Sequence, residues 1–180
     1  CYGSGGMMLM AEPLAKALES VTGSEKPYVV YPSPQGTHLH QELVEDLSRK
    51  EHLVIVCGHY EGIDERFVEK FVDAEISLGD FVLTGGEMPA MAIVDAVSRL
   101  IPGVVGSAAS VTEDSFYSGM LDTPHYTRPS QWRGENVPEV LTGGDAKAID
   151  RWRRRRSVER TLERRPDLAA RAGIMPWLSG

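Results

Sequence analysis

The sequence predicts an α/β protein with a largely parallel sheet and a small all-helical segment after it, on three observations. Short apolar runs, Tyr28-Val29-Val30-Tyr31 and Leu53-Val54-Ile55-Val56-Cys57, read as strands and alternate with stretches at helical spacing. Parallel neighbours need helix-sized crossovers, so this alternation favours parallel pairing. Each apolar run leads into a glycine-bearing loop: Ser33-Pro34-Gln35-Gly36, then Gly58-His59-Tyr60-Glu61-Gly62-Ile63-Asp64-Glu65-Arg66. Finally, the periodic character lapses after Leu100 and returns only at Asp145.

Taken in order, the chain opens at Cys1-Tyr2-Gly3-Ser4-Gly5-Gly6-Met7-Met8 without an initiator Met, which reads as the interior of a fold whose first segment is missing. Leu14, Leu18 and Val21 mark a helix ending near Gly23, and Pro27 introduces the strand through Tyr31. Leu39, Leu43, Val44 and Leu47 mark a second helix; Phe67, Val68 and Phe71 mark a short third one. The stretch Ile76-Ser77-Leu78-Gly79-Asp80-Phe81-Val82-Leu83-Thr84-Gly85-Gly86 turns at Gly79-Asp80 into a β-prone run at Phe81-Val82-Leu83. Gly85-Gly86 then allows a sharp turn into a helix that takes Pro89 in its first turn and presents Ala92, Ala96, Val97 and Leu100 on one face. A strand end, glycines and a helix start make a good holder for a small polar ligand, although a plain strand-turn-helix connection explains any one such loop. Three of them at strand ends predict one composite pocket at the carboxyl edge of the sheet.

Beyond Leu100, small and polar residues run without a sustained period through Pro124, Pro129, Pro138 and Gly143-Gly144. A connection this long is functional or a linker. Asp145 caps a helix through Ala146, Ile149, Trp152, Val158 and Leu162 to about Arg165, where Pro166 stops it, and one more short helix fits the remainder. The expected plan is residues 1–106 as the α/β domain, 107–144 as a linker and 145–180 as a helical domain.

Composition narrows the classes. At 180 residues and 42% hydrophobic, the chain can bury a substantial core. No apolar run approaches the roughly 18 residues of a membrane span. No cleavable signal is visible, and Cys1 and Cys57 make no disulfide framework, so a cytoplasmic location is expected and Cys57 reads as a small core residue. The net charge of −7 argues against a uniformly basic nucleic-acid binder. Even so, Arg151, Arg153, Arg154, Arg155, Arg156, Arg160, Arg164 and Arg165 concentrate positive charge locally. His38, His40 and His52 lack the spacing of a metal site and read as surface residues.

The loops SPQG, CGHYEGIDER and SLGDFVLTGGEMPA, the run VSRLIPG from Val97 to Gly103, and the segments TEDSF and DTPHYTRP resemble, in order, the bacterial tRNA (guanine-N1)-methyltransferase family, TrmD. The likeness spans nearly the whole chain, from Gly5 to Arg164. The family begins before Cys1 with a further strand and runs somewhat beyond this C-terminus; where it often has Arg, this chain has His59. The resemblance implies a SPOUT-type fold with a deep trefoil knot, which periodicity does not reveal. It implies S-adenosyl-L-methionine bent within the knotted loops of an obligate homodimer whose active site lies at the subunit interface. The cofactor-holding positions it implies are Pro34, Gly36, Gly58, Tyr60, Glu61, Gly62, Leu78, Gly79, Asp80, Phe81, Val82, Leu83, Gly85 and Gly86.

Guanine N1 carries a proton beside an exocyclic carbonyl, so methyl transfer needs a base for the proton and a cation for the oxygen. The resemblance assigns these to Asp114 and Arg99, and has the linker deliver Asp114 to the partner subunit. On residue type alone, Asp114 fits a solvated loop and Arg99 a helix cover. The positions expected to contact tRNA are His59, Arg128, Arg151, Arg153 and Arg154, where arginines would meet phosphates while the target base leaves its stack. His125, Tyr126, Thr127 and Arg128 equally fit a Pro-flanked turn packed on the sheet, and the arginine helix a solvated face. A magnesium requirement is implied, and no ligand cluster places the ion. Two other readings stand beside this one. A Rossmann-type nucleotide enzyme lacks its G-x-G-x-x-G here, and a non-catalytic RNA-binding remnant would follow from the missing first strand.

Overall fold

A computed structural model describes residues 2–3, 5–105 and 114–174. The chain divides into two compact units, Cys1–Gly106 and Ser107–Gly180. In the first, helix α1 (Ala11–Thr22), strand β1 (Tyr28–His38), α2 (Gln41–Ser48), β2 (Leu53–Ile55), α3 (Glu65–Phe71), β3 (Ala74–Ser77) and α4 (Glu87–Ser98) follow in order. The sheet is parallel with strand order β2-β1-β3.

Side chains of β1 alternate between two cores, as the two-residue period of a strand requires. Val29 and Tyr31 join Leu18, Ile63, Phe67 and Val68 on one face. Val30 joins Val44, Leu47, Ile76, Ile93 and Val97 on the other. The sheet is thereby sandwiched, with α1 against α3 on the first face and α2 against α4 on the second. Buried on both sides, the strands carry the near-continuous apolar runs typical of parallel sheets.

Pairing between β1 and β3 is interrupted at the point that matters most. Pro32 and Thr37 both face Ile76, so residues 33–36 loop out of the ladder before pairing resumes. The strand expected at Phe81-Val82-Leu83 does not form. Pairing on β3 ends at Ser77, whose Oγ accepts from the Gly79 N–H at 3.1 Å and so turns the chain away. Without a neighbouring strand, β-propensity has nothing to pack against, and these residues are 55%, 84% and 43% exposed.

In the second unit the long polar stretch contains structure of its own. Strands β4 (Gln131–Trp132) and β5 (Glu135–Asn136) pair antiparallel. Arg133 and Gly134 have φ of 50° and 89°, the two positive values that a two-residue hairpin turn matching strand twist requires. A short helix α5 (Glu139–Thr142) follows, then α6 (Ala146–Arg164) and α7 (Pro166–Arg171). Asp145 caps α6 by accepting from the N–H groups of Lys147 and Ala148 at 2.9 and 3.1 Å. Pro166 ends α6 and opens α7 at once, suited to a first turn where no N–H is needed. Fully buried Thr161 accepts from Leu121 N–H at 3.0 Å and donates to Ser157 carbonyl at 2.7 Å, while Ser157 Oγ donates to the Leu121 carbonyl. Residue 121 is thus stapled to α6 through both of its main-chain groups.

Among the described residues no helix is long and apolar enough to cross a membrane, and no group of three His, Cys, Asp or Glu could hold a metal ion.

Candidate functional site

Ends of β1, β2 and β3 lie side by side because the strands are parallel, and their following loops close around one crevice with about 730 Å³ of empty space, solvent at its mouth included. Of the positions expected to hold a cofactor, Pro34, Gly58, Tyr60, Glu61, Gly62, Leu78, Gly79, Phe81, Val82, Leu83, Gly85 and Gly86 line it, as does His59. Gly36 and Asp80 do not. The Asp80 carboxylate meets His38 Nε2 at 3.1 Å instead.

Glycine is required here chiefly because the chain meets itself. A Cβ on Gly36 would lie 2.4 Å from the main-chain carbon of Glu75 and the nitrogen of Ile76. One on Gly86 would lie 2.7 Å from Cys57 Cα. The reason given by sequence, room for a ligand, is thus joined by a stronger one: room for another strand of backbone. Gly86 N–H donates to the Gly58 carbonyl at 2.9 Å, fixing the third loop on the second.

A side-chain clasp reinforces that junction. His59 Nε2 hydrogen-bonds Glu87 Oε1, joining the second loop to the start of α4, and the same hydrogen bond holds the Glu87 carboxyl below its ordinary pKa. Glu87 sits in the first turn of α4, where its charge also suits the helix dipole. Tyr60 stands beside the clasp, 65% exposed and with a φ of 60°, a left-handed conformation that costs a non-glycine residue about 1–2 kcal/mol. Such strain persists where the surroundings enforce it, and is common at ligand sites. Tyr31 closes the floor. Burial, with Glu75 nearby, raises its phenol above the usual range, so it stays neutral.

The rim offers polar main chain as well. Among the described residues, the N–H groups of Leu78, Val82 and Leu83 donate to no other group. Glu61 contributes the carboxylate, Ser33, Ser77 and Thr84 contribute hydroxyls, and the side chains of Phe81, Val82 and Leu83 contribute apolar surface. The crevice can therefore hold a flat heteroaromatic ring by main chain and apolar contact, with a carboxylate within reach of a positively charged group.

Cys57, expected as a core residue, is only half-buried; burial, then the Glu87 charge, pushes its thiol pKa up and disfavours the thiolate. Tyr31, Ser77 and Glu87 line or brace the site and were not anticipated. Glu87 had a signal, since a carboxylate directly after Gly85-Gly86 and before a helix marks a loop-to-helix junction. Tyr31 and Ser77 had none beyond their places at strand ends.

Arg99 caps the C-terminal end of α4, exposed, and is not among the crevice-lining residues. Asp114 is exposed and belongs to the second unit. In that unit a further cavity, with about 1000 Å³ of empty space, is lined by residues that include His125, Tyr126, Thr127, Arg128, Trp152 and Arg153. Arg151 and Arg154 lie outside it, exposed on α6, with Arg154 paired to Asp150 at 3.2 Å.

Comparison with known proteins bears on both units. A family model described as tRNA (Guanine-1)-methyltransferase TrmD matches residues 1–171. The tRNA (guanine-N(1)-)-methyltransferase of Brevibacillus brevis is 52% identical over 172 residues, covering 96% of this chain and 71% of its own length. That of Moorella thermoacetica is 52% identical over 179 residues, covering 97% and 72%. That of Pelotomaculum thermopropionicum is 54% identical over 177 residues, covering 96% and 70%.

Proposed function

The chain belongs to the tRNA (guanine-1)-methyltransferase TrmD family, and from that premise we propose that it moves a methyl group from S-adenosyl-L-methionine to N1 of the guanosine immediately 3′ of the anticodon. The observation that carries the reading is the meeting of three strand-end loops in one crevice of apolar walls, spare main-chain donors and a carboxylate. Those groups fit the donor: main chain and apolar surface for adenine, and Glu61 for the positively charged end. Bound there, S-adenosyl-L-methionine supplies an electrophilic methyl group. The protein's own part is to hold it bent, keep water out and manage the proton on N1.

Asp114 takes that proton as general base, and Arg99 offsets the negative charge that builds on the exocyclic oxygen. His59, Arg128, Arg151, Arg153 and Arg154 contact the tRNA. Residues 1–106 bind the donor, 107–144 carry the base and 145–180 form a helical tRNA-binding domain. The fold is of the SPOUT type with a trefoil knot; support comes from the looping-out of residues 33–36 and from Gly36 pressed on the Glu75–Ile76 main chain. A homodimer is part of the reading. Met88, Met91 and Val94 are 63%, 65% and 53% exposed at three-residue spacing on α4, an apolar helix face that a second copy would cover. Work on tRNA places the protein in the cytoplasm. The family also implies magnesium; with no cluster of ligands among the described residues, no step is assigned to it.

The deciding experiment supplies radiolabelled methyl donor and an unmodified tRNA transcript with guanosine 3′ of the anticodon. Label should appear at N1 of that base. Asp114→Ala should keep donor affinity by calorimetry while transfer collapses, and Arg99→Ala should slow the single-turnover rate at saturating donor. Most of the turnover surviving Asp114→Ala would remove the base assignment. A non-catalytic RNA-binding protein would instead retain tRNA and transfer nothing.

A further inference from the structure

The arginine run on α6 is not uniform. Arg154 is held by Asp150 at 3.2 Å, and Arg155 and Arg156 both reach Glu159 at 2.6 Å. Arg153, in the midst of them, forms no ion pair with a described residue, and it lines the second-unit cavity together with Arg128, which likewise forms none. Two guanidinium groups at one cavity, with no carboxylate among its described lining residues, are suited to an anion of fixed geometry.

The same cavity is lined by an aromatic pair. Tyr126 and Trp152 have ring centroids 6.3 Å apart at an interplanar angle of 55°. The rings are tilted rather than stacked face to face, and Tyr126 remains 48% exposed. Val137 and Ile149 supply an apolar floor. Aromatic rings on which a base stacks whatever its sequence, with cations lining the same cavity, match how proteins hold single-stranded nucleic acid.

We infer that this cavity holds one unstacked nucleotide of the RNA substrate, distinct from the base that is methylated, with its base on the Tyr126–Trp152 pair and its phosphate between Arg128 and Arg153. The inference takes the identity of the RNA from the reading above and is independent of methyl transfer itself. It also gives Arg128 and Arg153 a joint role that the paired arginines of α6 do not share.

The test uses the full chain saturated with S-adenosylhomocysteine, so that the first crevice is filled, and an unmodified tRNA transcript as probe. Filter binding across a salt series reads affinity, and Trp152 emission, with Trp132→Phe and Trp177→Phe as background, reads stacking. Tyr126→Ala should weaken binding about 5- to 150-fold, the range of one base–aromatic stack, and Tyr126→Phe should restore it. Arg128→Ala and Arg153→Ala should each flatten the salt slope by about 0.7, while Arg155→Ala, already neutralised by Glu159, should change it far less. Trp152 emission should fall as tRNA binds. Unchanged Trp152 emission at saturating tRNA, or affinity within about twofold of the parent in Tyr126→Ala, overturns the inference. A parent that binds tRNA with these responses yet transfers no methyl supports the slot while sinking the reaction. A parent that methylates tRNA while Tyr126→Ala is unmoved overturns the slot alone.

Discussion

Substituting Gly36 by alanine tests whether the crevice depends on backbone lying against backbone. The new Cβ would sit 2.4 Å from Glu75 carbon and Ile76 nitrogen, about 1 Å inside the 3.4 Å at which ordinary contact begins. Neither neighbour is a flexible side-chain end that can swing aside, and both belong to the paired strand β3. Relief therefore needs the 33–36 loop or the sheet to move. Overpacking of this kind costs typically 1–3 kcal/mol, and with main chain on the receiving side the upper end, about 3 kcal/mol, is expected. For a unit of this size each kcal/mol lowers Tm by about 4 °C or more, so the first unit should melt ~10 °C or more below the parent. Circular dichroism melts measure this, and calorimetry with S-adenosyl-L-methionine should show weakened binding, since Pro34 on the same loop lines the crevice. Gly143→Ala is the matched control: its φ is −78°, and a Cβ there meets only Glu139 oxygen at 3.5 Å. It should change stability by less than about 0.5 kcal/mol. Equal melting of Gly36→Ala and the control would refute the packing argument.

Thr161→Val keeps the shape of the buried side chain but leaves the Leu121 N–H without its acceptor, so urea denaturation should report a loss of about 1–3 kcal/mol; an unchanged midpoint would show that water replaces the hydroxyl. Asp145→Ala should destabilise α6 by about 1 kcal/mol in thermal melts, and Asp145→Asn should recover most of it, because either side-chain oxygen can accept from Lys147 and Ala148. Burial disfavours the charge on Asp122, but hydrogen bonds from His125 and from the Thr123 N–H outweigh it and hold the carboxyl below its ordinary 3.8. Its contribution to stability is thus present above pH 3.8 and lost as pH falls through the lower folded-state value. Asp122→Asn should flatten the acid limb of a pH–stability curve, and an identical limb would discount the pairing.

Much of the first unit was legible because its signals are local. Helical spacing at Leu14, Leu18 and Val21 or at Leu43, Val44 and Leu47 depends only on neighbours in sequence, and the structure places those residues on α1 and α2. The glycine loops announced a composite pocket because parallel strands must end on one edge. What the sequence hid is long-range. That Pro32 and Thr37 share one partner follows from β3, more than thirty residues on, and nothing within SPQG shows it. Phe81-Val82-Leu83 has strand-like composition but no adjacent strand, so propensity alone misled. The hairpin turn at Arg133-Gly134 was overlooked because strands of two residues carry no alternation to read. Partition of the arginine run was readable in principle, since Asp150 and Glu159 stand four residues from Arg154 and Arg155. That Arg128 and Arg153 share a cavity emerges only once folding brings residues 124–130 beside α6.

A crevice framed by polypeptide backbone at Gly58, Gly85 and Gly86 has a consequence for drug resistance. An inhibitor that reads those peptide groups offers few single-codon escapes: altering a side chain leaves the amide pattern intact, and adding one at Gly86 collides with the Cys57–Gly58 main chain. Escape is therefore steered to lining residues that act through their side chains, such as His59 and Tyr60.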